Sequence, residues 1–147
     1  MQRELTLPSS QGMLARVRHA LESVPYAWIA LPLRLAVATI FWRSALVKVA
    51  NVDAALALFT DEYRVPLLPP GFAMYCALAI ELVTPVLLVL GLATRAAAAV
   101  LLVMTAVIEI FVYPNAWPTH LQWTAMLVVL LCRGAGRYSI DARISRF

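Results

Sequence analysis

The sequence is poor in charge. Only 14% of its 147 residues are Asp, Glu, Lys or Arg, while 63% are hydrophobic and the mean hydropathy is +0.81. A soluble domain carries about 25% charged residues, so this chain has too few to coat a water-facing surface, and lipid is its expected solvent. Cysteine is scarce too. Cys76 and Cys132 form no C-x-x-C and fall near opposite membrane faces in the hydropathy map, which excludes an intrachain thiol–disulfide exchange centre. With only His19 and His120, on opposite sides, and no clustered acids, no metal site is expected. No Gly-rich phosphate loop or Ser-His-Asp pattern is visible. Although the net charge is +4, no zinc-finger spacing or RNA-binding signature accompanies it, so nucleic acid is not an expected partner. The first 25 residues do not read as a cleaved signal peptide, because Arg3, Arg16, Arg18 and Glu22 interrupt them and the apolar run starts late.

What is present is a set of long apolar runs, enough for one domain. Four spans are expected: Tyr26 to about Val49, Phe72 to Leu92, Arg95 to Tyr113 and Trp117 to Cys132. The fold class is therefore an all-α membrane protein, a four-transmembrane-helix bundle. The connection from Asn51 to Gly71 repeats Val52, Ala55, Leu56, Phe59 and Tyr63 at helical spacing, which predicts a short interfacial helix between spans one and two, capped by Asn51 or Asp53. Pro66-Leu-Leu-Pro-Pro70 then predicts an extended entry into span two. Gly91 can end span two and Thr94 can cap span three.

The organisation is then a cytoplasmic N-terminal segment (1–25), a transmembrane domain (26–133) and a basic cytoplasmic tail (134–147). Residues 9–24 can form an amphipathic helix capped by Ser9 or Ser10. Its apolar face is Met13, Leu14, Val17 and Leu21, suited to a lipid surface; a polar tail is the other reading.

Orientation follows from the arginines. The two tails and the span two–three turn hold Arg3, Arg16, Arg18, Arg95, Arg133, Arg137, Arg143 and Arg146. The opposite loops hold Lys48 and Arg64 beside Asp53, Asp61 and Glu62. Positive residues stay inside, so both ends are expected in the cytoplasm of a bacterium, with the bundle in the inner membrane.

Charges within spans are costly and are usually paired or functional. Counting helix rise from the inner end puts Arg34 about 12 Å deep and Glu81 about 16 Å, with Arg43 at about 25 Å and Glu109 at about 21 Å. Two pairs, Arg34–Glu81 and Arg43–Glu109, become possible, though depth alone leaves other pairings open. Arg34–Glu81 reads as a structural ion pair that sets helix register. Arg43, Lys48, Glu109 and His120 all fall in the outer half, near Trp42 and Trp123, and are expected to border one ligand pocket for a quinone-like or small anionic molecule. In that pocket Arg43 and Lys48 would hold negative charge, while Glu109 and His120 would relay protons.

The order of several short motifs resembles the DoxX family of small membrane proteins. They are Ser44-Ala-Leu-Val-Lys48, Glu81 followed by Leu87-Leu-Val-Leu-Gly-Leu-Ala-Thr-Arg95, and Gly134-Ala-Gly-Arg-Tyr-Ser-Ile-Asp141. Ala45 and Ala135 depart from the family's usual Gly and Pro. The resemblance, over about residues 30–142, implies a four-span fold and a membrane subunit of a quinone-linked redox or detoxification system, with quinone as the cofactor and a protein partner in a membrane complex. The run Val65-Pro-Leu-Leu-Pro-Pro70 is similar to a subgroup encoded beside makers of copper-binding peptides, which implies a role in copper stress. The alternative reading is non-enzymatic, a membrane anchor or assembly factor.

Overall fold

A computed structural model describes residues 10–63 and 65–144, and every regular element among them is helical. In chain order these are α1 (Ser10–Glu22), α2 (Tyr26–Ala50), α3 (Val52–Asp61), α4 (Pro70–Leu90), α5 (Thr94–Phe111), a 3-10 turn (Pro114–Ala116), α6 (Trp117–Arg133) and α7 (Ile140–Ile144). Each expected span coincides with a helix to within about two residues, because long apolar runs leave the backbone no water to bond and force it to bond itself. The chain is a membrane protein. Three helices, α2, α4 and α5, are long and apolar enough to cross a bilayer. The fourth, α6, has 17 residues, about 25 Å of rise.

Those four helices form a ring in which α2 packs on α4 and α6, and α5 packs on α4 and α6. Val37, Phe41, Leu88, Leu101, Leu127 and Leu130 are buried at its centre. The small buried residues Ala97 and Ala98 let α5 approach its neighbours closely. Helix α3 lies against α4 through Ala55 and Phe59, which meet Ala73 and Met74. Its cap is Asn51, whose side chain accepts from the Ala54 amide at 2.9 Å.

Two local expectations need correction. The approach to α4 turns at Pro66-Leu67, with Leu67 in the left-handed region at φ 71°, and is extended at Pro69 (φ −58°, ψ 138°), directly before the helix; Pro66 precedes the turn and Pro69-Pro70 follow it, each fixing its own φ. At the other connection Gly91 does end α4, at φ 67°, but Thr94 does not cap α5: its hydroxyl has no hydrogen-bond partner. The cap comes instead from Asp141, whose carboxylate accepts from the amides of Ala93 (2.7 Å) and Thr94 (2.9 Å). A cap recruited from a distant segment leaves no local sequence signal.

Helix α1 leaves Met13, Leu14, Val17 and Leu21 exposed along one face, and Arg18 meets Glu22 at 2.8 Å on its polar side. Ser9, the other candidate cap, lies outside the described residues, as do Arg3, Arg64 and Arg146.

Candidate functional site

The ring has a turn end, where the α4–α5 turn meets the C-terminal segment, and a tyrosine end, where the α3–α4 and α5–α6 connections meet. Polar side chains gather at both.

At the turn end Arg34 is buried. Its Nε donates to the Leu88 carbonyl at 2.7 Å and its Nη2 to that of Val89 at 2.6 Å. Its Nη1 donates to the carbonyls of Ala135 (3.0 Å) and Tyr138 (2.9 Å). The last carbonyls of a helix have no partner within it, and a guanidinium, with five donors in a fixed fork, suits several of them at once. The expected Arg34–Glu81 ion pair is therefore absent. Its physical cause is register. The contacts Arg34–Leu88 and Ser44–Glu81 show that α2 runs on beyond the end of α4, so counting both helices from their own ends misaligns them. The overhang packs against the tail: a Cβ on Gly136 would lie 3.1 Å from Ala27 Cα and 3.1 Å from Ala30 Cβ.

Glu81 instead faces Ser44 and Lys48, one turn apart on α2. Lys48 Nζ lies 2.8 Å from Glu81 Oε2, 2.9 Å from Oε1 and 2.9 Å from Ser44 Oγ, and Ser44 Oγ donates to Glu81 Oε1 at 3.0 Å. All three ammonium donors thus point at partners. The Glu81 side chain is 2% exposed and that of Lys48 16%. The second pair joins the end of α5 to the start of α6, with His120 Nδ1 2.5 Å from Glu109 Oε2. His120 is 6% exposed and Glu109 31%, so the imidazole is buried and the carboxylate half-emerges. Trp123 meets the His120 ring edge-on at a centroid distance of 5.0 Å and the Phe41 ring at 5.6 Å.

Both pairs abut one cavity of about 570 Å³, whose walls include Ile80, Val100, Val103 and Met104. Tyr63 and Tyr113, from the two connections, also line it, with their hydroxyls 2.6 Å apart. Burial, and then the bond to Tyr113, push the Tyr63 hydroxyl above the ordinary phenol range, which keeps it protonated.

Of the four expected pocket residues, Lys48 and His120 line this cavity, and Glu109 stands behind His120 as its hydrogen-bond partner. Arg43 does not join them. It is exposed on α2, about 100° around the helix from Ser44, and the Arg43–Glu109 pair does not form. Ser44, Tyr63 and Tyr113 escaped the reading of the sequence. The i, i+4 spacing of Ser44 and Lys48 was a signal that both serve one partner, whereas the tyrosines meet only through tertiary packing.

The fold defines a helical membrane protein whose bundle encloses a cavity with largely apolar walls. The DoxX family model matches residues 29–114, more than half of the chain, and the chain belongs to that family. The matched region holds Arg34, Ser44, Lys48, Glu81, Glu109 and Tyr113 but stops short of His120 and of the tail that surrounds Arg34. No curated protein matches the chain, and no solved structure does.

Proposed function

We propose that this protein is a membrane subunit of a quinone-linked redox or detoxification system and that it holds a quinone-type ligand in the cavity between α2, α4, α5 and α6. The cavity carries the reading: about 570 Å³ with apolar walls and two separate polar groupings, within the range of small-molecule sites, about 300–1,000 Å³. A bound quinone would supply two-electron redox chemistry, with the electrons exchanged with a partner protein. The chain's own residues bind, orient and hold protons. Glu109 occupies Nδ1 of His120, so Nε2 remains for a ligand oxygen. The half-exposed Glu109 gives a proton on that imidazole a way out of the buried site.

The same proposal places four spans in a bacterial inner membrane with both ends cytoplasmic. A 17-residue α6 is accommodated by local thinning of the bilayer, and α3 then lies at the opposite interface. Reporter fusions after residues 62, 94, 115 and 147 should read outside, inside, outside, inside; a periplasmic C-terminus overturns the orientation.

Mass spectrometry of small molecules extracted from the purified protein tests the ligand. Quinone at near-stoichiometric amounts supports the reading. A stoichiometric soluble partner with no quinone overturns it in favour of an anchor or assembly factor, the role in which the copper association implied by residues 65–70 would fit.

A further inference from the structure

We infer that the cavity selects an uncharged ligand bearing a hydroxyl or carbonyl oxygen, excludes anions, and recognises that oxygen through Nε2 of His120. This rests on the cavity being a ligand site, as proposed above, and narrows what it takes.

The argument is the charge that faces the cavity. Among the described residues, the one lysine or arginine lining it is Lys48, and its three donors are directed at Glu81 and Ser44. Lys48 and Glu81 together contribute no net charge. Arg43, the second cation the sequence offered for an anion, is exposed outside the cavity. The remaining titratable groups on the walls are Tyr63, Tyr113 and Cys76, neutral in their protonated forms, and His120, whose charge when protonated is compensated by the Glu109 carboxylate behind it. An anion would therefore give up its hydration without meeting an uncompensated cation. To receive it, Lys48 would have to leave a carboxylate that is only 2% exposed, and an unpaired buried carboxylate is strongly unfavourable. A neutral ring meets none of these costs and gains from the apolar walls.

His120 supplies the polar contact. With Nδ1 occupied by Glu109, a neutral imidazole presents a lone pair at Nε2 to a ligand hydroxyl, and a protonated one presents an N–H to a carbonyl. Trp123 meets the His120 ring edge-on and is itself met edge-on by Phe41, so the oxygen is met by a preset atom.

Calorimetric titration of the full chain in non-ionic detergent tests this with two probes of one ring system, menadione and 1,4-naphthoquinone-2-sulfonate. Ala77→Phe, which fills the cavity, serves as the control for partition into micelles. Menadione is expected to bind at least about tenfold more tightly than the sulfonate, and His120→Ala to weaken menadione by about tenfold. Glu81→Gln, which releases Lys48 as an unpaired cation, is expected to raise sulfonate affinity by about tenfold or more while circular dichroism stays helical. If menadione binds and the sulfonate binds the unaltered protein as tightly, or menadione binds and Glu81→Gln brings the sulfonate no gain, charge selection is wrong and the ligand cavity stands. If His120→Ala leaves menadione unmoved, Nε2 is not the recognising atom. If neither probe binds the unaltered protein or Glu81→Gln, both the selection and the ligand cavity fail.

Discussion

The two ends of the bundle use buried polar groups in opposite ways. At the turn end, Arg34 and Asp141 bond to backbone: carbonyls of α4 and the tail for one, amides at the start of α5 for the other. At the tyrosine end the partners are other side chains, Lys48 with Glu81 and Ser44, His120 with Glu109, Tyr63 with Tyr113. Backbone cannot leave its place without unravelling a helix, whereas a side chain can turn to a ligand. A charge in a span is therefore not by itself a sign of a site; what it bonds to decides.

Substitutions at the two ends can break or sharpen this contrast. The largest effect is expected for Lys48→Met, which strands a Glu81 carboxylate that is 2% exposed; the loss should be about 3–5 kcal/mol. The double change with Glu81→Gln should recover most of it in detergent unfolding, and two losses that simply add would disprove the pair. Next comes Arg34→Met, which removes a donor from four carbonyls, of which Leu88 keeps the Gly91 amide, and should cost about 2–4 kcal/mol. Menadione affinity of the folded fraction should stay within about twofold, and a larger drop would mean that the turn end reaches the cavity. Asp141→Ala removes the α5 cap and should lower stability by about 1–2 kcal/mol, again with binding intact. Tyr63→Phe loses one hydroxyl pair at the other end, about 0.5–1 kcal/mol, and should speed both entry and release of menadione in stopped-flow fluorescence. Arg43→Ala should change stability by less than about 0.5 kcal/mol and leave binding as it was. A tenfold loss there would restore Arg43 to the site.

The helices were legible because apolar runs of membrane length allow little else. Gly91 marked the end of α4 and Asn51 the start of α3. Lys48 and His120 could be placed together in the outer half by depth, and both line the cavity. Their pairings could not be read. Depth counted along each helix takes no account of how far α2 overhangs α4, and depth says nothing of azimuth, which is what turns Arg43 outward while Ser44 and Lys48 face Glu81. The Asp141 cap and the carbonyls around Arg34 join residues 47 to 104 positions apart, and no local pattern records such a meeting.

The separation in sequence of Arg34 from Ala135 and Tyr138 also sets an order of events during synthesis. Arg34 enters the membrane early, with only the Leu88 and Val89 carbonyls to come from the next long helix, and its other two acceptors are made about a hundred residues later. The amides of α5 likewise wait for Asp141. Until the ribosome has delivered these late residues, the guanidinium lacks two of its four acceptors and the α5 amides lack their cap. A chain cut before residue 135 would lack the Ala135 and Tyr138 acceptors and the Asp141 cap together, and so present an unsealed end.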